Sequence, residues 1–287
     1  MVLFFQQLLN GIMLGAVYSL FALGLTIIYG ILHIPNFAHG ALYMWAGFTS
    51  LFLVINFHTN YWVALLIGMA VMGLVGVGIE RIIFRPLRDM PHINSFIGAI
   101  RLIFVLESLS LIVWGPDFRR FPPLYDQTFN ILGVAITLER LLVIVAAILF
   151  ILLLQLFIKR TWMGATIEAV AQNPEGAQLV GISIDRVSSL TFGIGIALAA
   201  AAATLIAPVF LVYSSMGSMP NLKAFVIIII GGLGSIPGAV IGGFMLGLIE
   251  SLGGGYISTE YKDIFAFGLL VTFLTIRPTG LFGKGVR

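Results

Sequence analysis

The chain contains no cysteine, which excludes disulfides, thiolate catalysis and cysteine-ligated metals. Charge is almost as scarce. Only 9% of the 287 residues are charged against 60% hydrophobic, and such a composition does not furnish a water-soluble surface. No Lys or Arg precedes Arg81, so the amino-terminal apolar run lacks the basic region of a cleaved signal peptide and is expected to remain as a first span. The period-two alternation of an outer-membrane barrel is missing. So are a metal-ligand cluster, a nucleophile elbow and a pair of catalytic carboxylates, which leaves a membrane-embedded enzyme little support. The net charge of +3 does not point to nucleic acid, because the basic residues are scattered at the ends of apolar runs rather than gathered on a face.

What is present is a series of apolar runs at about 5–30, 37–57, 61–83, 95–114, 138–158, 188–212, 222–235, 238–252 and 262–276. About 20 helical residues cross the hydrocarbon of a bilayer, so the first six can span. The seventh and eighth are short and read as half-helices or a re-entrant pair. Backbone groups in lipid must be satisfied locally, so the fold class is all-α: a polytopic membrane protein with about eight to nine transmembrane or half-membrane helices in contact with lipid. Placing Arg81, Arg85, Arg88, Lys159, Arg160, Arg186, Arg277, Lys284 and Arg287 on one side leaves Arg119, Arg120, Arg140, Lys223 and Lys262 on the other. The positive-inside rule makes the first, larger set cytoplasmic, with the amino terminus outside.

On the same side falls a polar stretch, residues 159–187, that interrupts the lipid-compatible sequence. Asn173 is a suitable N-cap, Pro174 fits the first helical position, and Glu175 suits the positive end of the helix dipole. Gly181 is placed to close the helix in a left-handed conformation. Leu179 and Val180 give it an apolar edge, which reads either as a docking edge for a soluble motor or as an ordinary loop helix packed on the membrane domain.

Glu175, Ala177 and Gly181-Ile182 are similar to the ATPase-contacting Glu-Ala-Ala motif of ABC importer permeases, although Gly176 stands in place of its middle Ala, at a cost to the helix of about 0.5–1 kcal/mol. Three further patches resemble one family. These are Gly24-Leu25-Thr26-Ile27-Ile28-Tyr29-Gly30 with Ile34-Pro35-Asn36-Phe37-Ala38-His39-Gly40, Lys223-Ala224-Phe225 with Gly231-Gly232-Leu233-Gly234-Ser235-Ile236-Pro237-Gly238-Ala239, and Arg277-Pro278-Thr279-Gly280-Leu281-Phe282-Gly283. In collinear order across nearly the whole chain they resemble the branched-chain amino-acid ABC transporter permeases, the shorter, H-type subunit. The resemblance implies a single permease domain over residues 1–287 in the bacterial inner membrane, with 159–187 as a cytoplasmic loop carrying a coupling helix. It also implies partners: a second permease subunit in a heterodimer, two ATPase subunits holding ATP and Mg, and a periplasmic substrate-binding protein. No cofactor is expected in this chain, and no phosphate-binding loop occurs in it, Gly283-Lys284-Gly285 being no substitute. The function implied is ATP-driven uptake of branched-chain or related amino acids. An ion-coupled secondary transporter or channel for a small polar solute is the alternative.

Candidate residues for the translocation path follow from breaks and charges. Gly231, Gly232, Gly234 and Pro237 read as a broken helix with freed backbone groups, or as close packing, since Gly238 with Gly242 and Gly243 with Gly247 have small-xxx-small spacing. Pro35 separates the first two runs, with Asn36 as a cap for the second and His39 near its start, so both residues either line the path or merely cap and bond. Arg101, Glu107 and Glu250 are ionisable residues at membrane depth, each costing at least about 2.5–3.5 kcal/mol on insertion scales. Six residues turn a helix by about 600°, so Arg101 and Glu107 point about 120° apart and need separate partners. The resembled family commonly has a small apolar residue and an amide at these two positions.

Overall fold

Long apolar runs without internal Pro have one way to satisfy their backbone in lipid, and each becomes a helix. The computed structural model describes residues 2–32, 35–88, 90–125, 127–131, 134–277 and 279–282. Ile34, Pro278, Gly283, Lys284, Gly285 and Arg287, which entered the motif and charge readings above, lie outside the described residues. The helices are α1 (Val2–Leu32), α2 (His39–Asn56), α3 (Tyr61–Ile79), which runs through a π-turn (Glu80–Phe84) into α4 (Arg85–Leu87), α5 (His92–Trp114), α6 (Leu138–Arg160), α7 (Trp162–Gln172), α8 (Pro174–Leu179), α9 (Ile184–Ile206), α10 (Ser218–Gly231), α11 (Ile236–Tyr256) and α12 (Lys262–Ile276). Among the described residues six are long and apolar enough to cross a membrane: α1, the continuous α3–α4, α5, α6, α9 and α11. A short antiparallel hairpin, β1 (Thr128–Ile131) and β2 (Val134–Thr137), with Thr128 opposite Thr137, lies in the polar connection before α6, where the all-helical expectation for apolar runs does not reach.

The core forms around α1, which is buried along most of its length and packs on α9 and α11. Lipid tails give no hydrophobic drive between helices, so close approach of small residues supplies the contact. A Cβ on Gly243 would collide with Ser19, one on Gly247 with Gly15, and one on Gly24 with the carbonyl of Gly195. Ser19 uses the proximity to donate to the Val240 carbonyl at 2.9 Å. Ala199 to Ala203 of α9 are fully buried, the same solution reached with alanine.

Two apolar runs depart from the sequence expectation. The eighth is embedded in the 21-residue α11 and is long enough to span, because Ser235, whose hydroxyl accepts from the Gly238 N–H at 3.2 Å, starts the helix early and the small residues to Tyr256 carry it on. The second becomes a helix only from His39, well inside the bundle: its imidazole stacks on Phe21 of α1 at 4.7 Å between centroids. Its 18 residues rise about 27 Å from that depth. α10, with 14 residues, starts at a similar depth and runs the opposite way. The two amino termini meet so closely that a Cβ on Gly217 would overlap the carbonyl of Gly40, and Asn221 Nδ2 donates to the Phe37 carbonyl at 2.8 Å. The half-helix reading thus fits α10 but not α11, and the amino terminus of α10 abuts that of the longer α2.

Candidate functional site

The 159–187 stretch folds as two helices where one was expected. Thr161 caps α7 by accepting from the Gly164 N–H at 3.0 Å, and Gly164 lies so tightly on the Ile158 backbone that any side chain would collide. That turn folds α7 back on the bundle, where it buries Thr166, Ile167 and Val170. Asn173 ends α7 and caps α8 as its sequence context foretold, its Oδ1 accepting from the Gly176 N–H at 2.9 Å, with Pro174 following. A Cβ at Gly176 would press on the Asn173 side chain at 3.1 Å, so the glycine that departs from the resembled motif leaves room for the cap. Gly181 takes φ +86° and ends the helix, and Ile182 N–H returns to the Ala177 carbonyl at 3.0 Å.

Ala177 is buried against the bundle and is the point at which α8 rests on it. Leu179 and Val180 are 89% and 75% exposed, with Glu175 exposed beside them. Burying a Leu or Val side chain is worth about 1.5–3 kcal/mol, so this tip leaves an appreciable sum unclaimed by its own chain.

Just beyond α8, the start of α9 is fastened to the π-turn after α3. Glu80 is fully buried and accepts from Arg88 Nη2 at 2.8 Å, Arg85 Nη2 at 3.2 Å and Ser189 Oγ at 2.5 Å. Arg88 Nη1 reaches Asp185 Oδ1 at 2.8 Å and Arg85 Nη2 reaches the Asp185 carbonyl at 3.2 Å. Sequence reasoning missed this cluster, since Arg85 and Arg88 were read as topology charges. The signal available was an acid at the end of an apolar run with bases five and eight residues on, a spacing the π-turn turns into contact.

The membrane-depth candidates separate into four places. Asn36, His39 and Glu107 gather round the start of α10. Asn36 is not the N-cap; that position is Ala38, and Asn36 Oδ1 instead accepts from the Ala38 N–H at 3.1 Å in the turn before the helix. His39 Nε2 lies 3.3 Å from the Phe21 carbonyl, and the Glu107 carboxylate lies near the Ser218 hydroxyl. Asn36 Nδ2, His39 Nδ1 and Asn221 Oδ1 are buried there without protein partners, an unusual concentration of unmet polar groups at membrane depth.

At the other end of α10, Gly231, Gly232 and Gly234 form the break, with φ +101° at Gly232 and +77° at Gly234, values that favour glycine. Close packing holds too: Gly231 lies on the Gly238 backbone. The carbonyls freed by the break are taken up by the chain's last described residues, Leu281 N–H donating to Ile230 at 2.8 Å and Phe282 N–H to Gly231 at 3.1 Å. Beside the break a cavity of about 1340 Å³ opens, lined by Tyr29, Gln155, Lys159, Glu168, Gln172 and Ser235 among apolar side chains.

Glu250 has a partner that the sequence did not disclose. Lys223, counted above with the outer basic residues, is buried and holds Glu250 Oε1 at 2.6 Å and Asp263 Oδ1 at 3.0 Å. The ion pair joins α10, α11 and α12, and no spacing in one helix announces a contact between three. Arg101 stands apart on the exposed side of α5.

The family model for the branched-chain amino acid transport system permease component matches residues 7–274. The high-affinity branched-chain amino acid transport system permease protein LivH of Escherichia coli is 35% identical over 298 aligned positions, covering 98% of this chain and 96% of that protein. BraD of Pseudomonas aeruginosa, of the same description, is 34% identical with the same coverage. The fold is similar to that of PsaBC from Streptococcus pneumoniae, solved in complex with Fab, with a TM-score of 0.54 at 13% identity over 96% of this chain and 91% of that one.

Proposed function

We propose, from the premise that this chain belongs to the branched-chain amino acid transport permease family, that it is the membrane-spanning subunit of an ATP-driven ABC importer for branched-chain or related amino acids. In this reading the bundle is one permease domain in the bacterial inner membrane and supplies half of the translocation path. A second, different permease supplies the other half, a periplasmic binding protein delivers the solute, and two cytoplasmic ATPase subunits carry ATP and Mg. Residues 159–187 face the cytoplasm, and α8 is the helix on which an ATPase docks through Leu179, Val180 and Glu175.

The observation that carries the reading is the exposed apolar tip of a helix capped at both ends. Asn173 and Gly181 fix its shape, Ala177 fixes its seat, and Leu179 and Val180 are left for a partner. When the ATPases close, motion of α8 passes into α7 and into α9, whose first turn is clamped to α3 through Glu80. Deep in the bundle, Asn36, His39 and Glu107 at the start of α10, with the flexible glycines at its end, are the groups we assign to the path. They meet a zwitterion with transient polar contacts, while affinity resides in the binding protein.

Reconstitution in proteoliposomes tests the reading. Uptake of labelled leucine should require the ATPase subunits, the binding protein and ATP together. Uptake by the permease chain alone, driven by an ion gradient, would instead establish a secondary transporter.

A further inference from the structure

Of the six long spans, α5 is the least covered by the rest of the chain. It rests on the bundle through Ser95, Ala99, Leu102 and Ser110, a single stripe. At about 100° per residue, Ile97, Val105, Ser108 and Ile112 all fall within about 40° of Arg101, on the side facing away from that stripe. Every one of them is exposed, Ile112 to 79%. Arg101 lies two residues, about 3 Å of rise, from Ile103 at the centre of the 23-residue helix. From the middle of a span a guanidinium does not reach either membrane surface by stretching its side chain. Among the described residues it makes no ion pair or hydrogen bond, and Glu107 on the same helix points about 120° away, toward Ser218.

A permanent cation at that depth is costly against lipid tails and usually faces a partner or a cavity, and a water-soluble partner does not reach the midplane. The rest of that face is apolar and gives the guanidinium no partner, so the counter-group has to come from another membrane-spanning chain. We propose that the outward face of α5, from Ile97 to Ile112, is the surface on which the second permease chain packs, and that Arg101 is held there by a carboxylate or backbone carbonyls of that chain. The inference rests on the importer reading for the existence of a second permease; the choice of face rests on Arg101 alone.

Because the chain has no cysteine, single thiols can be placed at will. Val105→Cys and Ile112→Cys, each carrying a thiol-linked benzophenone, are irradiated in native membranes in the full transporter, and the adducts are identified by peptide mass spectrometry. Adducts to a second multi-pass permease chain, different from or identical to this one, are the expected result. Adducts to phospholipid only, or to a protein of another kind only, overturn the proposal. In parallel, Arg101→Leu should lower recovery of the second permease with the tagged chain at least tenfold, and Arg101→Lys should restore much of it. Full recovery with Arg101→Leu would place that side chain against lipid and defeat the assignment. ATP-dependent uptake by the unaltered transporter is read separately, so loss of this interface assignment leaves the importer reading standing, whereas failure of that uptake counts against the importer reading itself.

Discussion

Replacing Glu80 by Gln removes one negative charge while keeping the size of a fully buried side chain. Three donors converge on that carboxylate, from Arg85, Arg88 and Ser189. Breaking a buried ion pair by deleting one partner typically costs about 3–5 kcal/mol, because the remaining charge is left uncompensated. Here the two arginine side chains are 32% and 22% exposed, so water takes up part of the stranded charge. We therefore expect a loss of about 2–3 kcal/mol for Glu80→Gln. Asp185, bonded to the same arginines but 54% exposed, provides the internal standard, and Asp185→Asn should cost no more than about 1 kcal/mol. Unfolding by SDS titration in bicelles gives both differences on one scale. In the reconstituted transporter, Glu80→Gln should also lower the amino acid moved per ATP hydrolysed, since the clamp between α3 and α9 is loosened, while ATPase binding persists. Equal stability costs for the two variants, with unchanged coupling, would refute the view of Glu80 as the hub.

Lys223→Met should destabilise by about 3–5 kcal/mol, leaving Glu250 buried and unpaired, whereas Lys223→Met with Glu250→Met should recover most of that loss in a double-mutant cycle by the same titration. Asn173→Ala should cost about 1 kcal/mol locally. Hydrogen exchange read by mass spectrometry should show it as faster exchange confined to α8, the helix whose Gly176 N–H it caps. Gly217→Val should abolish folding or insertion of functional protein, measured as monodisperse yield after solubilisation, because the side chain has nowhere to go against Gly40. A Gly217→Val protein of normal yield would show that the α2–α10 junction is not packed as described.

The apolar runs predicted the helices because in lipid a long run without breaks has no other means of bonding its backbone, and periodicity hardly matters. The local chemistry of α8 was equally legible: Asn173, Pro174 and Gly181 act within a few residues of one another, so their spacing contains the geometry. What resisted reading was everything that joins distant segments. Lys223 meets Glu250 across two helices, Glu80 meets Ser189 across more than a hundred residues, and the depth at which α2 begins depends on Phe21 and Gly217 rather than on Pro35. α7 was hidden for a different reason. Its start depends on Thr161 and Gly164 folding over the end of α6, a contact between neighbours that a reading aimed at polarity passes over.

The account turns on α8 as the place where an ATPase grips this chain, and the direct test is the affinity of that grip. Leu179→Asp with Val180→Asp alters only side chains that are already exposed, so the bundle should fold as before. Burial of the two native side chains contributes about 3 kcal/mol, which corresponds to roughly a hundredfold in dissociation constant. Measured with purified ATPase subunit on the permease in nanodiscs, the double variant should bind at least that much more weakly. Binding at the affinity of the unaltered chain would contradict the account.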